Sequence, residues 1–238
     1  MFLFLLLFVM GCTANWMPPA EFLPIVMHEK TYDIFTYQRI FDSVNPIHIY
    51  IEGDGNSFDI HGIPTDNPTP RNTFLRDLAV SDPNPNVVYM ARPCQYVMNT
   101  NCDISDWTDG RFSTGVVNDI SSAIAKVAGS RPIVLIGYSG GALLSGLAIR
   151  QNPQLNIVKW ITIAGVLNHS DWTEYFGDRP LFNSENLNGL PHVLQAHYVA
   201  SHDSVVPFEL SKKWVGDGEL IIVPNSKHNR FPDLDLKF

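Results

Sequence analysis

The chain has 238 residues, 45% of them apolar and 17% charged. That is a globular composition, unlike a disordered chain's, and long enough for one domain with a sizeable core. The formal net charge of −8 argues against nucleic acid as a partner, because phosphate binding needs a basic surface. No repeat, low-complexity tract or linker divides the sequence, so a single domain is expected.

Phe2 to Met10 is continuously apolar. The run is far too short to span a bilayer as a helix and reads as the apolar core of a secretory signal peptide. Val9-Met10-Gly11-Cys12 resembles a bacterial lipobox, in which the cysteine becomes the lipidated first residue of the mature protein. One feature departs from that pattern: no Lys or Arg precedes the apolar run. A plain signal peptide cut further on, near Ala14 or Ala20, is the alternative. The expectation is a leader over 1–12 and export to the bacterial cell envelope, with a membrane anchor on Cys12. Thr13 is not the aspartate associated with inner-membrane retention, so the resemblance favours the outer membrane. Export puts Cys94 and Cys102 in an oxidising compartment, where cysteines so close in a loop-like stretch are expected to pair. Metal binding is the rival, but the spacing is not C-x-x-C and no matching His pair follows.

Residues 13–32 carry Pro18, Pro19 and Pro24 and read as an extended arm, leaving 33–238 for the domain. Asp33–Ile40 mixes aromatic and β-branched residues, a strand pattern. Ile47, Ile49 and Ile51 alternate with His48 and Tyr50 in a second strand, which ends at Glu52-Gly53-Asp54-Gly55. A helix is expected over Pro70–Leu78, with Thr69 as cap and Pro70 at its first position. Asn86–Ala91 is a short strand. Val116, Val117, Ile120, Ile124 and Val127 recur at three and four residues, which predicts an amphipathic helix over Thr114–Ala128, ended by Gly129. Ile133 to Ile136, between Pro132 and Gly137, reads as a buried strand. From Gly141 the apolar pattern runs on to Ile149, long enough for a helix and apolar on nearly every side, until Pro153 stops it. Ile157–Ala164 is the next strand. Gly165–Leu190 has no clear period and holds Trp172, Tyr175 and Phe176. His192–Ala200 alternates weakly as a strand, Phe208–Val215 is a helix, and Glu219–Val223 is the last strand.

Between the strand at 133–136 and the helix after it lies Gly137-Tyr138-Ser139-Gly140-Gly141, a G-x-S-x-G pentapeptide. Alone, it also fits an ordinary glycine-rich strand-to-helix connection. Its place between a buried strand and a buried helix is what gives it chemical meaning. A serine forced into so tight a turn is strained, with its hydroxyl exposed. Gly137 and Gly141 lack the Cβ atoms that would collide across it. The Gly140 amide, at the new helix's N-terminus, points where negative charge would develop on an attacked carbonyl.

In these residues the sequence resembles the α/β-hydrolase superfamily. The resemblance covers the chain from about residue 33 to its end. It implies an α/β fold with a mostly parallel central sheet, helices on both faces, and a small cap or none in the stretch 165–190. It implies no cofactor and no metal. The pattern x-x-D-x-x-V-P over Ser201–Pro207 puts Asp203 at the place of the superfamily's acid, and His228 follows the last strand. Ser139, Asp203, His228 is the superfamily's chain order. Glu52-Gly53-Asp54-Gly55 occupies the place of its His-Gly oxyanion loop, with Glu52 where many relatives have His. The implied oxyanion donors are the amides of Gly140 and Asp54, with Gly55 the alternative to Asp54.

His202 is the rival base, although it stands very near the acid in sequence. Asp178 and Glu174 are rival acids. Ligands in such folds meet the carboxyl ends of the strands, so Arg92, Gln95, Tyr96, Trp107 and Arg111 are candidates for the pocket rim. Each also fits a structural role, Arg92 by burial against a carboxylate. The implied activity is that of a serine hydrolase cleaving a small-molecule or lipid ester, or a related acyl bond. An acyltransferase, or a hydrolase-like binding module without turnover, is the alternative.

Overall fold

The computed structural model describes residues 16–215 and 219–238. The apolar run and Cys12 lie outside them. One sheet organises the chain. Its strands are β1 (Leu23–His28), β2 (Asp33–Ile40), β3 (Ile47–Ile51), β4 (Asn86–Met90), β5 (Ile133–Tyr138), β6 (Ile157–Ile163), β7 (Gln195–Ala200) and β8 (Glu219–Val223). Their spatial order is β1-β2-β4-β3-β5-β6-β7-β8. The first two strands are antiparallel to their neighbours, and all pairs from β4 onward are parallel.

The helices are α1 (Phe74–Ser81), α2 (Thr114–Ala128), α3 (Gly140–Gln151), α4 (His169–Phe176) and α5 (Phe208–Trp214). The alternation of side chains along each strand divides the core in two. Ile47, Ile49, Ile51, Ile133 and Leu135 face Val116, Ile120 and Ile124 of α2 and Leu143, Leu144 and Leu147 of α3. Tyr50, Val134, Ile136 and Tyr138 face the other way, where Leu75 and Ala79 of α1 cover them together with Phe231. Both faces of β3, β4 and β5 are therefore buried, as parallel strands require. Full burial of one such aliphatic side chain contributes about 1.5–3 kcal/mol.

Two expectations need correction, and one segment left without an assigned element gains a helix. The arm over 13–32 contains β1, an edge strand in antiparallel register with β2 from Leu23↔Gln38 to His28↔Asp33. Its side chains are mostly exposed, so no alternation betrayed it. The helix expected over Pro70–Leu78 starts later, at Phe74 with Thr73 as N-cap. The Asn72 side chain accepts from the Phe74 N–H at 3.1 Å, an Asx-type bond that competes with helix. Thr69 instead accepts from the Tyr96 N–H at 2.7 Å. The aperiodic stretch 165–190 contains α4, capped by Asn168, whose side chain accepts from the Asp171 N–H at 3.0 Å. Only His169 and Thr173 of that helix are buried, too few to write a helical period.

Candidate active site

The register of the sheet brings the loops of interest together. Ile51 of β3 pairs with Gly137 of β5, so the Glu52–Gly55 loop and the Tyr138–Gly140 turn leave the sheet side by side. Ser139 sits between β5 and α3 with φ 52° and ψ −124°, a conformation costly for a residue with a Cβ. Close packing holds it there. A Cβ on Gly141 would run into the carbonyl oxygens of Ile51 and Glu52, and one on Gly137 into the Gly141 carbonyl and Ser145.

At the β8 edge of the sheet Ala200 pairs with Val223, so the turn after β7 and the turn after β8 also emerge together, from the same carboxyl ends of the parallel strands. They are joined by hydrogen bonds. The Ser201 N–H donates to Ser226 Oγ at 3.1 Å, and the His202 N–H to the Ser226 carbonyl at 3.0 Å. Lys227 and Arg230 exchange backbone hydrogen bonds of 2.9 and 3.0 Å, which puts His228 at the head of a tight turn.

His228 reaches back to the serine. Its Nε2 lies 3.0 Å from Ser139 Oγ, and its Nδ1 lies 2.9 Å from Asp203 Oδ2. The Asp203 side chain is fully buried. Its second oxygen accepts from the N–H groups of Val205 and Val206 at 2.8 and 2.9 Å. A carboxylate only accepts, so the proton on His228 sits at Nδ1 and Nε2 is free to accept from the Ser139 hydroxyl. The Tyr138 ring, 5.3 Å from the imidazole between centroids, walls it on one side. The rivals are placed elsewhere: His202 is exposed and lies against its neighbour Ser201, at 2.9 Å. Glu174 and Asp178 are exposed residues at the end of α4.

The Asp54 and Gly140 amides belong to the two adjacent loops, and neither N–H donates to a protein group among the described residues. The Asp54 side chain lies against Gly140, where a Cβ would collide with its carboxylate. Arg92 bonds one carboxylate oxygen, and Arg111 Nε lies 3.2 Å from the other. Burial alone would push the Asp54 carboxyl up, but Arg111 and Arg92 outweigh it and hold the group below the usual aspartate value. Glu52 is buried behind this loop. Its carboxyl is pushed up by burial, against the bonds from the Gly53 N–H (2.8 Å) and Tyr89 OH (2.8 Å).

The pocket over Ser139 encloses about 310 Å³. Asp54, Arg111, Val166, Trp172, Val205 and Val206 are among the residues that line it. Of the rim candidates only Arg111 lines it. Arg92 and Gln95 are buried behind the loop. Tyr96 packs on Phe35, with ring centroids 5.0 Å apart. Trp107 is buried, donating from Nε1 to the Thr65 carbonyl at 3.0 Å. Sequence reasoning missed His169, a pocket residue stacked on Phe112 at 6.0 Å. Burial lowers its pKa, and nothing in an aperiodic segment marked it. Cys94 and Cys102 are bonded, with Cα atoms 5.8 Å apart.

No protein-family model and no curated protein matches the chain. Solved structures do. An α/β serine hydrolase without a lid from Xanthomonas campestris is 14% identical, with 90% of this chain and 88% of that one covered and a TM-score of 0.55. An α/β serine hydrolase homologue from Coxiella burnetii is 17% identical, covering 90% and 92%, with a TM-score of 0.57. A carboxylesterase structure from Nitrososphaera gargenis is 13% identical, covering 86% and 91%, with a TM-score of 0.55. Strand order, crossover pattern and these likenesses agree: the chain has the α/β-hydrolase fold.

Proposed function

We propose that the chain is a serine hydrolase that cleaves an ester bond of a small molecule or lipid through an acyl-enzyme on Ser139. The observation that carries the reading is the relay from a buried Asp203 through His228 to Ser139, with hydrogen-bond distances of 2.9 and 3.0 Å. His228 takes the Ser139 proton as Oγ attacks the carbonyl carbon. Asp203 orients the imidazole and stabilises the imidazolium. The Gly140 and Asp54 amides hold the oxyanion. His228 then protonates the departing alcohol, and water, activated by the same histidine, releases the acid. No cofactor enters these steps. The serine hydrolases and the carboxylesterase among the structural neighbours support the reaction class by likeness of fold.

The test is covalent labelling. A fluorophosphonate should modify wild type at Ser139, read by peptide mass spectrometry, and p-nitrophenyl esters of graded acyl length should be turned over. Folded protein with no label at Ser139, and no turnover of esters, thioesters or amides, would leave the binding module as the better reading. Label at Ser139 together with turnover only when an alcohol acceptor is supplied would favour an acyltransferase. We further propose export and a lipid anchor on Cys12, from the apolar run before it. A mature N-terminus downstream of Cys12 on a fully soluble native protein would refute the anchor.

A further inference from the structure

Gly53 is the residue through which the oxyanion loop touches the elbow. A Cβ there would come 3.0 Å from Ser139 Cβ and 3.3 Å from the Tyr138 carbonyl. Both of its backbone polar groups are engaged from behind. Its N–H donates to Glu52 Oε1 at 2.8 Å, and its carbonyl accepts from Gln95 Nε2 at 2.9 Å. The second bond matters for chemistry. A trans peptide is planar, with its C=O and the following N–H pointing in opposite directions. A Gly53 carbonyl held toward Gln95 therefore turns the Asp54 N–H the other way, out of the loop on the side away from Gln95.

Gln95 is itself tightly held. It is 1% exposed and does not line the pocket. Its Oε1 accepts from the Arg92 N–H at 3.1 Å, which orients the amide so that Nε2 faces Gly53. Its neighbours on both sides, Cys94 (φ 67°) and Tyr96 (φ 64°), adopt left-handed backbone, which residues with a Cβ rarely take. Such strain persists only where the surroundings over-determine it, and it gathers at functional sites. Here the Cys94–Cys102 bond ties one side of the turn, and the Thr69 hydroxyl takes the Tyr96 N–H on the other. The strained turn delivers one side-chain donor to one buried carbonyl.

We propose that Gln95 is a positioning residue for transition-state stabilisation, fixing the Gly53–Asp54 peptide so that its N–H serves the oxyanion. The proposal rests on the serine-hydrolase reading above. With the donor gone, the Gly53 carbonyl is a buried acceptor without its partner. The peptide can then relieve that cost by rotating, which withdraws the Asp54 N–H and turns an acceptor toward the developing charge.

The experiment is Gln95→Met, which keeps side-chain length and removes the donor. The expected result is a fall in kcat of about tenfold or more, with KM within about twofold and melting still cooperative. The inhibition constant for a trifluoromethyl ketone, which binds as the tetrahedral adduct, should rise by the factor by which kcat/KM falls. Unchanged kcat and unchanged ketone affinity, or a loss confined to KM, overturns the proposal. If Gln95→Met does not fold, Gln95→Glu at neutral pH takes its place with the same expectations. Failure of both to fold overturns it in favour of a purely structural role. Wild type that is unlabelled at Ser139 removes the serine-hydrolase reading and the proposal with it. Wild type labelled at Ser139 beside a fully active Gln95 variant removes the proposal alone.

Discussion

The serine and its two partners come from regions built in different ways. Residues 133–149 are buried at nearly every position, and the geometry of Ser139 is set by backbone against backbone. The turns after β7 and β8 are largely exposed or half-buried. They hold Asp203 and His228 through a small set of hydrogen bonds centred on Ser226 and on the Asp203 turn. The first region is a piece of the core that carries Ser139, the proposed nucleophile. The second is a surface device mounted on the ends of two strands. Damage to the first should cost fold and activity together, and damage to the second should cost activity alone.

The largest effects separate these outcomes. His228→Ala should lower kcat/KM for an aryl ester by about 10⁶-fold, as should Ser139→Ala, because nucleophile and base act as a unit. Asp203→Asn should lower it by about 10⁴-fold, since the residue orients and stabilises. His228→Ala and Asp203→Asn should melt close to wild type, and so should Ser139→Ala, because it removes only a hydroxyl and leaves the backbone packing of the elbow intact. A large drop in melting temperature for His228→Ala would break the contrast. Gly141→Ala should behave in the opposite way. Its new methyl meets the carbonyls of Ile51 and Glu52, an overpacking clash that costs about 3 kcal/mol, read by urea unfolding. A stable, fully active Gly141→Ala would show that the elbow tolerates slack.

A pH series sharpens the boundary between the regions. His197 of β7 is completely buried, with its ring nitrogens 2.8 Å from Thr162 Oγ1 and 2.9 Å from Gln195 Oε1. Burial lowers its pKa from 6.5 to about 4. Between those values the unfolded chain binds a proton that the native state refuses. The contribution is therefore present above pH 6.5 and lost as pH falls toward about 4, by about 3 kcal/mol. Urea midpoints at pH 7 and pH 4.5 measure it, and His197→Gln should flatten the slope. An equal slope in that variant would assign the acid sensitivity elsewhere. The smallest effect is expected at His202. Exposed, and with a side chain bonded only to Ser201 among the described residues, it should tolerate Ala with kcat/KM within about twofold. Loss of activity there, with His228→Ala active, would exchange the two assignments.

Much of this protein is determined by local sequence. The strand at Ile47–Ile51 and the helix at Thr114–Ala128 lie where alternation and helical period put them, because burial of one face or both imposes a period on the residues. The elbow around Ser139 was legible for the same reason: it is a local structure whose glycines and flanking apolar runs all fall within one segment. That Asp203 and His228 meet Ser139 was foreseen only through chain order and resemblance, since no local pattern distinguishes His228 from the other histidines. What the tertiary structure alone decided was contact between distant segments. It put Arg92 and Arg111 on Asp54, Gln95 behind Gly53, and His169 in the pocket wall. It also added the exposed edge strand β1 to the sheet. These pairings join residues far apart in the chain whose side chains follow no period, and their partners exist only once the sheet has set the register of its strands.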